Sequence, residues 1–174
     1  MTPLIYTPVV GEACQKWSEI YQQPEGEFDF FLFFPIFLFL VRCWIIFWAL
    51  SDWCDNPGMY LSYEDKGNIA AVIANWPQPN VEITVITDGS RILGLGDLGI
   101  NGMGIPIGKL ALYTACAGIR PEVTLPLTLD LGTGNKKLRE DPLYLGSRRG
   151  KISPEEELEF LDELMAALTE RWPG

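Results

Sequence analysis

The sequence predicts an α/β fold, with a largely parallel sheet flanked by helices. Two observations lead to this fold class. Strand-like apolar runs alternate with runs of helical periodicity, and no internal repeat or low-complexity array interrupts that order. A chain of 174 residues can bury one sizeable core. We therefore expect a single domain over residues 1–174, interrupted by a hydrophobic insertion at residues 27–57.

Three helices are expected in the first two thirds of the chain. Residues 8–21 carry apolar side chains at steps of three and four, which indicates an amphipathic helix. Asp65 is placed to cap a second helix, which must end before Pro77 because proline cannot continue it. A third helix is expected over residues 109–116, closed near Gly118.

A fourth helix has the clearest local signature. Ser153 and Glu156 form a capping box, with Pro154 at the first helical position. One face of this helix is lined by Leu158, Leu161, Met165 and Leu168. Buried strands are expected at residues 81–87, which alternate in polarity, and at residues 125–131.

Composition excludes several functional classes. Thirteen basic residues stand against 23 acidic ones, so a net charge of −10 disfavours binding to nucleic acid or to an anionic membrane surface. The chain contains no histidine, which rules out Ser/His/Asp and Cys/His catalysis within it. Its four cysteines form no CxxC pair and no cleavable signal starts the chain, so a reducing intracellular compartment fits best.

The segment at residues 27–57 differs from the rest of the chain. It is rich in aromatic residues, and residues 36–50 carry a single charge, Arg42. The run has the length of a membrane span, and its apolar residues outweigh the insertion cost of one arginine, about 2.5–3.5 kcal/mol. Three explanations remain open: translated non-coding sequence in a faulty gene model, a genuine single-pass anchor through about residues 30–50, or a loop at a membrane surface.

Several blocks of sequence point to one family. They are residues 2–14 (TPLIYTPVVGEAC), 58–62 (GMYLS), 87–99 (TDGSRILGLGDLG), 101–113 (NGMGIPIGKLALY) and 141–146 (DPLYLG). These blocks resemble the N-terminal domain of the NAD(P)-dependent malic enzymes, on both sides of the insertion. The resemblance implies oxidative decarboxylation of L-malate to pyruvate and CO2, with NAD or NADP and Mg2+ or Mn2+ as cofactors.

The resemblance also implies roles for three residues. Lys109 matches the base that takes the substrate hydroxyl proton, Tyr6 the acid that protonates the enol, and Arg91 the arginine that binds a substrate carboxylate. Each has a plain structural alternative: a snorkelling lysine, a tyrosine at the edge of the core, and an exposed arginine paired with Asp88 or Asp97. If one small substrate serves all three, their tips are expected within roughly 10 Å of one another. A membrane crossing between Tyr6 and Arg91 would prevent this.

A second motif has to be separated from this set. Residues 94–99 (GLGDLG) satisfy the dinucleotide pattern GxGxxG. A phosphate-binding fingerprint should open directly into a helix and be followed about twenty residues later by an acidic residue, and neither condition is met here. We interpret the motif as a backbone-packing turn beside the substrate site.

In the family that the chain resembles, the acidic metal ligands and the dinucleotide domain lie beyond the position of Gly174. We therefore expect a malic enzyme fragment that has no activity alone, in the cytoplasm or a mitochondrion, and able to form homo-oligomers with malic enzyme subunits. The alternative is a membrane-anchored, non-catalytic relative that acts as an interaction subunit. Contact with a membrane is expected only if the insertion is genuine, and no contact with nucleic acid is expected.

Overall fold

A computed structural model describes residues 11–18 and 58–173 of the chain. Its three strands form one parallel sheet, in the order β1–β3–β2. The strands are β1 (Met59–Ser62), β2 (Ile83–Thr87) and β3 (Thr124–Asp130). The predicted α/β class with a parallel sheet is therefore confirmed, although β1 was not predicted as a strand.

Helices cover both faces of this sheet. The described helices are α1 (Gly11–Gln15), α2 (Ile69–Ala74), α3 (Gly104–Ala117), α4 (Lys136–Glu140) and α5 (Pro154–Arg171), of which α2 and α5 lie on one face and α3 on the other. Leu125, Leu127 and Leu129 of β3 point to the face covered by α2 and α5. On the other face the Thr128 hydroxyl donates to the Met103 sulfur at 3.4 Å, just ahead of α3. The central strand is thus buried on both sides, as a parallel strand requires.

The helix ends agree with the sequence in two places and differ in one. The capping box of α5 is present, because Ser153 and Glu156 exchange backbone and side-chain hydrogen bonds. Gly118 closes α3 in the left-handed conformation, with φ of 70°. The prediction that Asp65 caps the second helix was wrong. Its carboxylate instead accepts from the Ser62 N–H at 2.8 Å and closes a separate 3-10 turn, Tyr63–Asp65.

The packed face of α5 agrees with the predicted stripe only in part, since Leu161 and Leu168 pack against the core as partly buried residues. Phe160, Leu164 and Ala167 are buried against the sheet and α2. Leu158 and Met165, which belong to the predicted stripe, are 62% and 56% exposed. Both sets have helical spacing, so periodicity alone could not decide which of them meets the sheet.

Part of the predicted structure lies outside the described residues, namely the hydrophobic helix at residues 27–57 and both ends of the helix at residues 8–21. Within residues 11–18 and 58–173, no helix combines the length and apolar character that crossing a bilayer requires.

Candidate functional site

A cleft lies at the carboxyl ends of β2 and β3. It encloses about 540 Å³ and is lined by Asp88, Ser90, Arg91, Asp97, Gly134, Lys151 and Glu157. The turn that follows β2 supplies three of these residues, and the loop after β3 supplies Gly134. The carboxyl edge of a parallel sheet is where open α/β folds bind their ligands, because the loops there leave the strands in opposite directions. The position of this cleft makes it the candidate site.

The turn after β2 is fixed by short hydrogen bonds of its own. The Thr87 hydroxyl accepts from the Gly89 N–H at 3.1 Å, and the Asp88 carboxylate accepts from the Ser90 N–H at 3.2 Å. Gly89 has a φ of 66°, and a Cβ atom there would collide with the carbonyl oxygen of Gly99. Only glycine fits this position without strain, so the turn and the glycine-rich loop are held against each other.

Asp97 forms the opposite wall of the cleft. One carboxylate oxygen accepts from the Gly99 N–H at 3.0 Å and the other from the Gly134 N–H at 2.8 Å. The side-chain amide nitrogen of Asn135 donates to the backbone carbonyl of Asp97 at 3.0 Å. Asp97 therefore joins the loop that follows β2 to the loop that follows β3.

The three glycines of the GxGxxG stretch have different structural roles. Gly94 and Gly96 both have positive φ, but a Cβ atom at either would meet open space. Gly99 is the position that requires close packing, because a Cβ atom there would collide with the Tyr144 hydroxyl. That hydroxyl accepts from the Ile100 N–H at 3.1 Å, and burial raises the pKa of Tyr144 to about 12. The first two glycines thus serve backbone conformation, and only the third serves packing.

Lys151 brings a positive charge to the cleft beside Asp88. Its ammonium donates to Asp88 Oδ2 at 3.0 Å and to Ser90 Oγ at 3.2 Å, and it lies 3.9 Å from a carboxylate oxygen of Glu157. The hydrogen bond to Asp88 raises the pKa of Lys151. Burial disfavours the Asp88 carboxylate, but hydrogen bonds from Ser90 and Lys151 outweigh burial and lower its pKa. Both groups are therefore charged at neutral pH.

Arg91 also lines this cleft. Its side chain is exposed, and among the described residues it makes no ion pair. The sequence offered Asp88 and Asp97 as ion-pair partners of Arg91, but both have other partners. Asp88 pairs with Lys151, and Asp97 accepts from backbone N–H groups. No described carboxylate is therefore paired with the guanidinium of Arg91.

Lys109 does not join Arg91 in the described cleft. Lys109 lies on α3 with an exposed side chain, outside the residues that line the cleft. The desolvation expected of a lysine base is therefore not provided by the described part of the chain. Tyr6 lies outside the described residues, so the expected convergence of the three side chains stays a prediction.

The helix that follows Tyr6 is nevertheless anchored beside the start of α3. The Ser18 hydroxyl donates to the Asn101 side-chain oxygen at 2.6 Å, and both residues are buried. The Trp17 indole donates to the Tyr60 hydroxyl at 2.7 Å. These contacts bring the segment after Tyr6 and the helix of Lys109 to the same side of the sheet.

Two features bear on where a metal or a dinucleotide could bind. In the part of the chain that the structure describes, no three His, Cys, Asp or Glu side chains are grouped so that they could hold a metal ion. The GxGxxG turn leads into the 3-10 segment Gly99–Met103, not directly into a helix, so its N–H groups do not form a phosphate-binding helix start.

Sequence reasoning missed Lys151 and Glu157 as cleft residues. Lys151 is separated from Asp88 by 63 positions, and only the fold brings the two together. One signal could have been used: Lys151 ends a short basic run with Arg148 and Arg149, in a chain that is acidic overall.

Comparisons with known proteins identify the family to which the chain is similar. The model of the family described as "Malic enzyme, N-terminal domain" matches residues 1–30 and 49–174. The chain is 46% identical over 174 residues to NAD-dependent malic enzyme 2 of Vibrio vulnificus, and 45% identical over 174 residues to the NAD-dependent malic enzyme of Idiomarina loihiensis. These alignments cover all of this chain and 25% of each relative, so the chain spans about a quarter of their length.

Proposed function

The chain belongs to the malic enzyme family, and from that premise we propose that it forms the substrate-binding side of an enzyme that oxidatively decarboxylates L-malate to pyruvate and CO2. The observation that carries this proposal is the position of Arg91. Its guanidinium lies in the cleft at the strand ends and makes no ion pair with any described residue. A guanidinium can form two parallel hydrogen bonds with one carboxylate of malate.

The proposal assigns the remaining chemistry to two further residues. Lys109 takes the proton from the malate hydroxyl as hydride leaves, and Tyr6 returns a proton to the enol after CO2 is lost. A lysine acts as a base only as the neutral amine. The complete site therefore has to cover the side chain of Lys109, which is exposed in the described part of the chain.

The cofactors follow from the family. The relatives named above are NAD-dependent malic enzymes, so we propose NAD as the hydride acceptor, with NADP as the alternative. A divalent ion, Mg2+ or Mn2+, would polarise the substrate carbonyl as a Lewis acid. Within residues 11–18 and 58–173, no group of three His, Cys, Asp or Glu side chains could hold this ion. Association with further malic enzyme subunits is part of the same proposal.

Binding of L-malate by the purified 174-residue chain tests this function. We expect a titration followed by amide NMR to place the affected signals around Arg91. Arg91→Met should weaken binding roughly tenfold or more, since a hydrogen bond to a charged group contributes about 1.5–3 kcal/mol. The matched control is Arg120→Met, which removes another exposed arginine, one that lies 3.6 Å from Glu82 and outside the cleft.

Two results would overturn the proposal. One is a chain that shows no malate-dependent signal changes at any concentration, and the other is an Arg91→Met variant that binds as tightly as the unmodified chain. Addition of NAD and Mn2+ should not produce reduced cofactor in this experiment, because the described residues supply neither a metal site nor a dinucleotide site.

A further inference from the structure

Lys151 stands on a fixed part of the fold. The neighbouring Ile152 is buried, and its N–H donates to the carbonyl of Leu131, directly after β3. Arg149 lies two residues before Lys151, and its carbonyl accepts from the N–H of Thr133. The backbone on either side of Lys151 is thus paired with the loop that leaves the central strand, so its ammonium reaches into the cleft from a rigid support.

The contacts of this ammonium leave little capacity for a substrate. An ammonium has three donors. Two of them serve Asp88 and Ser90, and the carboxylate of Glu157 lies on a further side at 3.9 Å. The Lys151 ammonium is therefore occupied by protein groups, whereas Arg91 makes no ion pair with any described residue.

Asp88 is the carboxylate for which Lys151 and Arg91 could compete. It lies three positions before Arg91 on the same turn, and both line the cleft. Without Lys151 the Asp88 carboxylate would lose its cationic partner, and Arg91 would become the cleft cation available to it. Two such charges attract each other by about 4 kcal/mol at 4 Å near a protein surface, before desolvation and side-chain entropy are subtracted. That attraction is large enough to compete with a carboxylate of a ligand.

We propose that Lys151 is a positioning residue that keeps Arg91 available to the substrate carboxylate by occupying Asp88. The effect on malate affinity rests on the proposed function, whereas the effect of Lys151 on the pairing of Arg91 with Asp88 does not. It predicts that removing Lys151 lowers substrate affinity indirectly, by diverting Arg91 to Asp88.

Four variants of the 174-residue chain test the inference by malate titration. Lys151→Met should weaken malate binding roughly tenfold, and Lys151→Arg should retain affinity within about threefold because arginine keeps the charge. The double variant Lys151→Met with Asp88→Asn should recover most of the lost affinity. Asparagine preserves the hydrogen bond from Ser90 but carries no charge to compete for Arg91. The control is Lys66→Met, which removes a comparable exposed ion pair, with Glu159, outside the cleft.

A second measurement requires no malate. The NMR signal of the Arg91 side-chain Nε–H should shift in Lys151→Met, as the guanidinium pairs with Asp88, and should return in the double variant. If the unmodified chain does not bind malate, the proposed function fails, and the Arg91 signal alone decides the role of Lys151. Lys151→Gln takes the place of the methionine variant if that variant does not fold.

The inference is overturned by an Arg91 signal that is unchanged in Lys151→Met. It is also overturned if the double variant binds malate as weakly as Lys151→Met, since Lys151 would then act without Asp88.

Discussion

Glu163 of α5 caps the start of α2 by binding the backbone N–H of Gly67 at 2.9 Å with both carboxylate oxygens. The same carboxylate also accepts from the N–H of Ile69 at 3.3 Å. The N-cap residue of α2, Asn68, makes no side-chain cap hydrogen bond. A residue nearly a hundred positions away thus satisfies the free N–H groups that a local cap would otherwise satisfy.

We expect Glu163→Ala to lower the free energy of unfolding by about 1 kcal/mol, the usual cost of losing a helix cap. The control is Glu159→Ala on the same helix, which removes only an exposed ion pair with Lys66 and should cost less than about 0.5 kcal/mol. Urea denaturation of both variants measures the difference. Equal losses would show that the carboxylate of Glu163 contributes no more than a surface charge.

Two glycines of the cleft loops should differ sharply in their tolerance of a methyl group. Gly89→Ala should lower the free energy of unfolding by more than about 2 kcal/mol, because the new Cβ combines an unfavourable φ with a collision against Gly99. Gly94→Ala should cost only about 1 kcal/mol, since its φ is similar but the space beside it is open. Thermal and urea denaturation give both values. A Gly94 variant as unstable as the Gly89 variant would contradict the described packing.

Stability should fall in alkali through Cys14. Burial raises the pKa of this thiol to about 11 from an ordinary 9.0, so the folded chain holds its proton more tightly than the unfolded chain does. The resulting stabilisation is complete below pH 9 and is lost as the pH rises through about 11. We expect the unmodified chain to lose on the order of 2 kcal/mol more between pH 9 and 11 than Cys14→Ala does in urea denaturation. Parallel curves for the two proteins would exclude this role.

Deleting residues 27–57 should improve the solubility of the chain. The segment is rich in aromatic side chains, and an exposed apolar run of this size promotes aggregation. The family model leaves residues 31–48, within this segment, unmatched. Sedimentation and circular dichroism of both chains measure the effect. A deletion variant that loses its folded signal, while the full chain stays soluble without detergent, would mean that the segment is structural.

Local signals in the sequence were sufficient for features that depend on neighbouring residues. The capping box at Ser153 and the left-handed Gly118 are such features, because each involves only the residues beside it. The helix start at Ile69 was missed because its cap, Glu163, comes from another helix. The buried face of α5 was predicted in part: Leu161 and Leu168 pack against the core, but the buried residues are Phe160, Leu164 and Ala167. Both sets have helical spacing, and only the position of the sheet determines which residues are covered.

The residues of the candidate site also differ in whether local sequence could predict them. Arg91 was predicted through the family motif, and the structure places it in the cleft. Lys151 could not be predicted from spacing, because the relevant distance is to a turn 63 residues away. Nor could periodicity indicate that Lys109 would be exposed in the described part, since burial depends on what is packed over a helix.

The strand order β1–β3–β2 determines when the sheet can assemble. The two outer strands do not pair with each other; each forms its ladder with β3, which comes last of the three along the chain. A ribosome must therefore extrude Asp130 before either ladder is complete, and until then the inner edges of both earlier strands have no partner from this sheet. Such non-local pairing slows folding, because chain entropy is lost before contacts compensate for it. The nascent chain therefore presents two unpaired strand edges of this sheet until β3 emerges, and such edges are prone to aggregate.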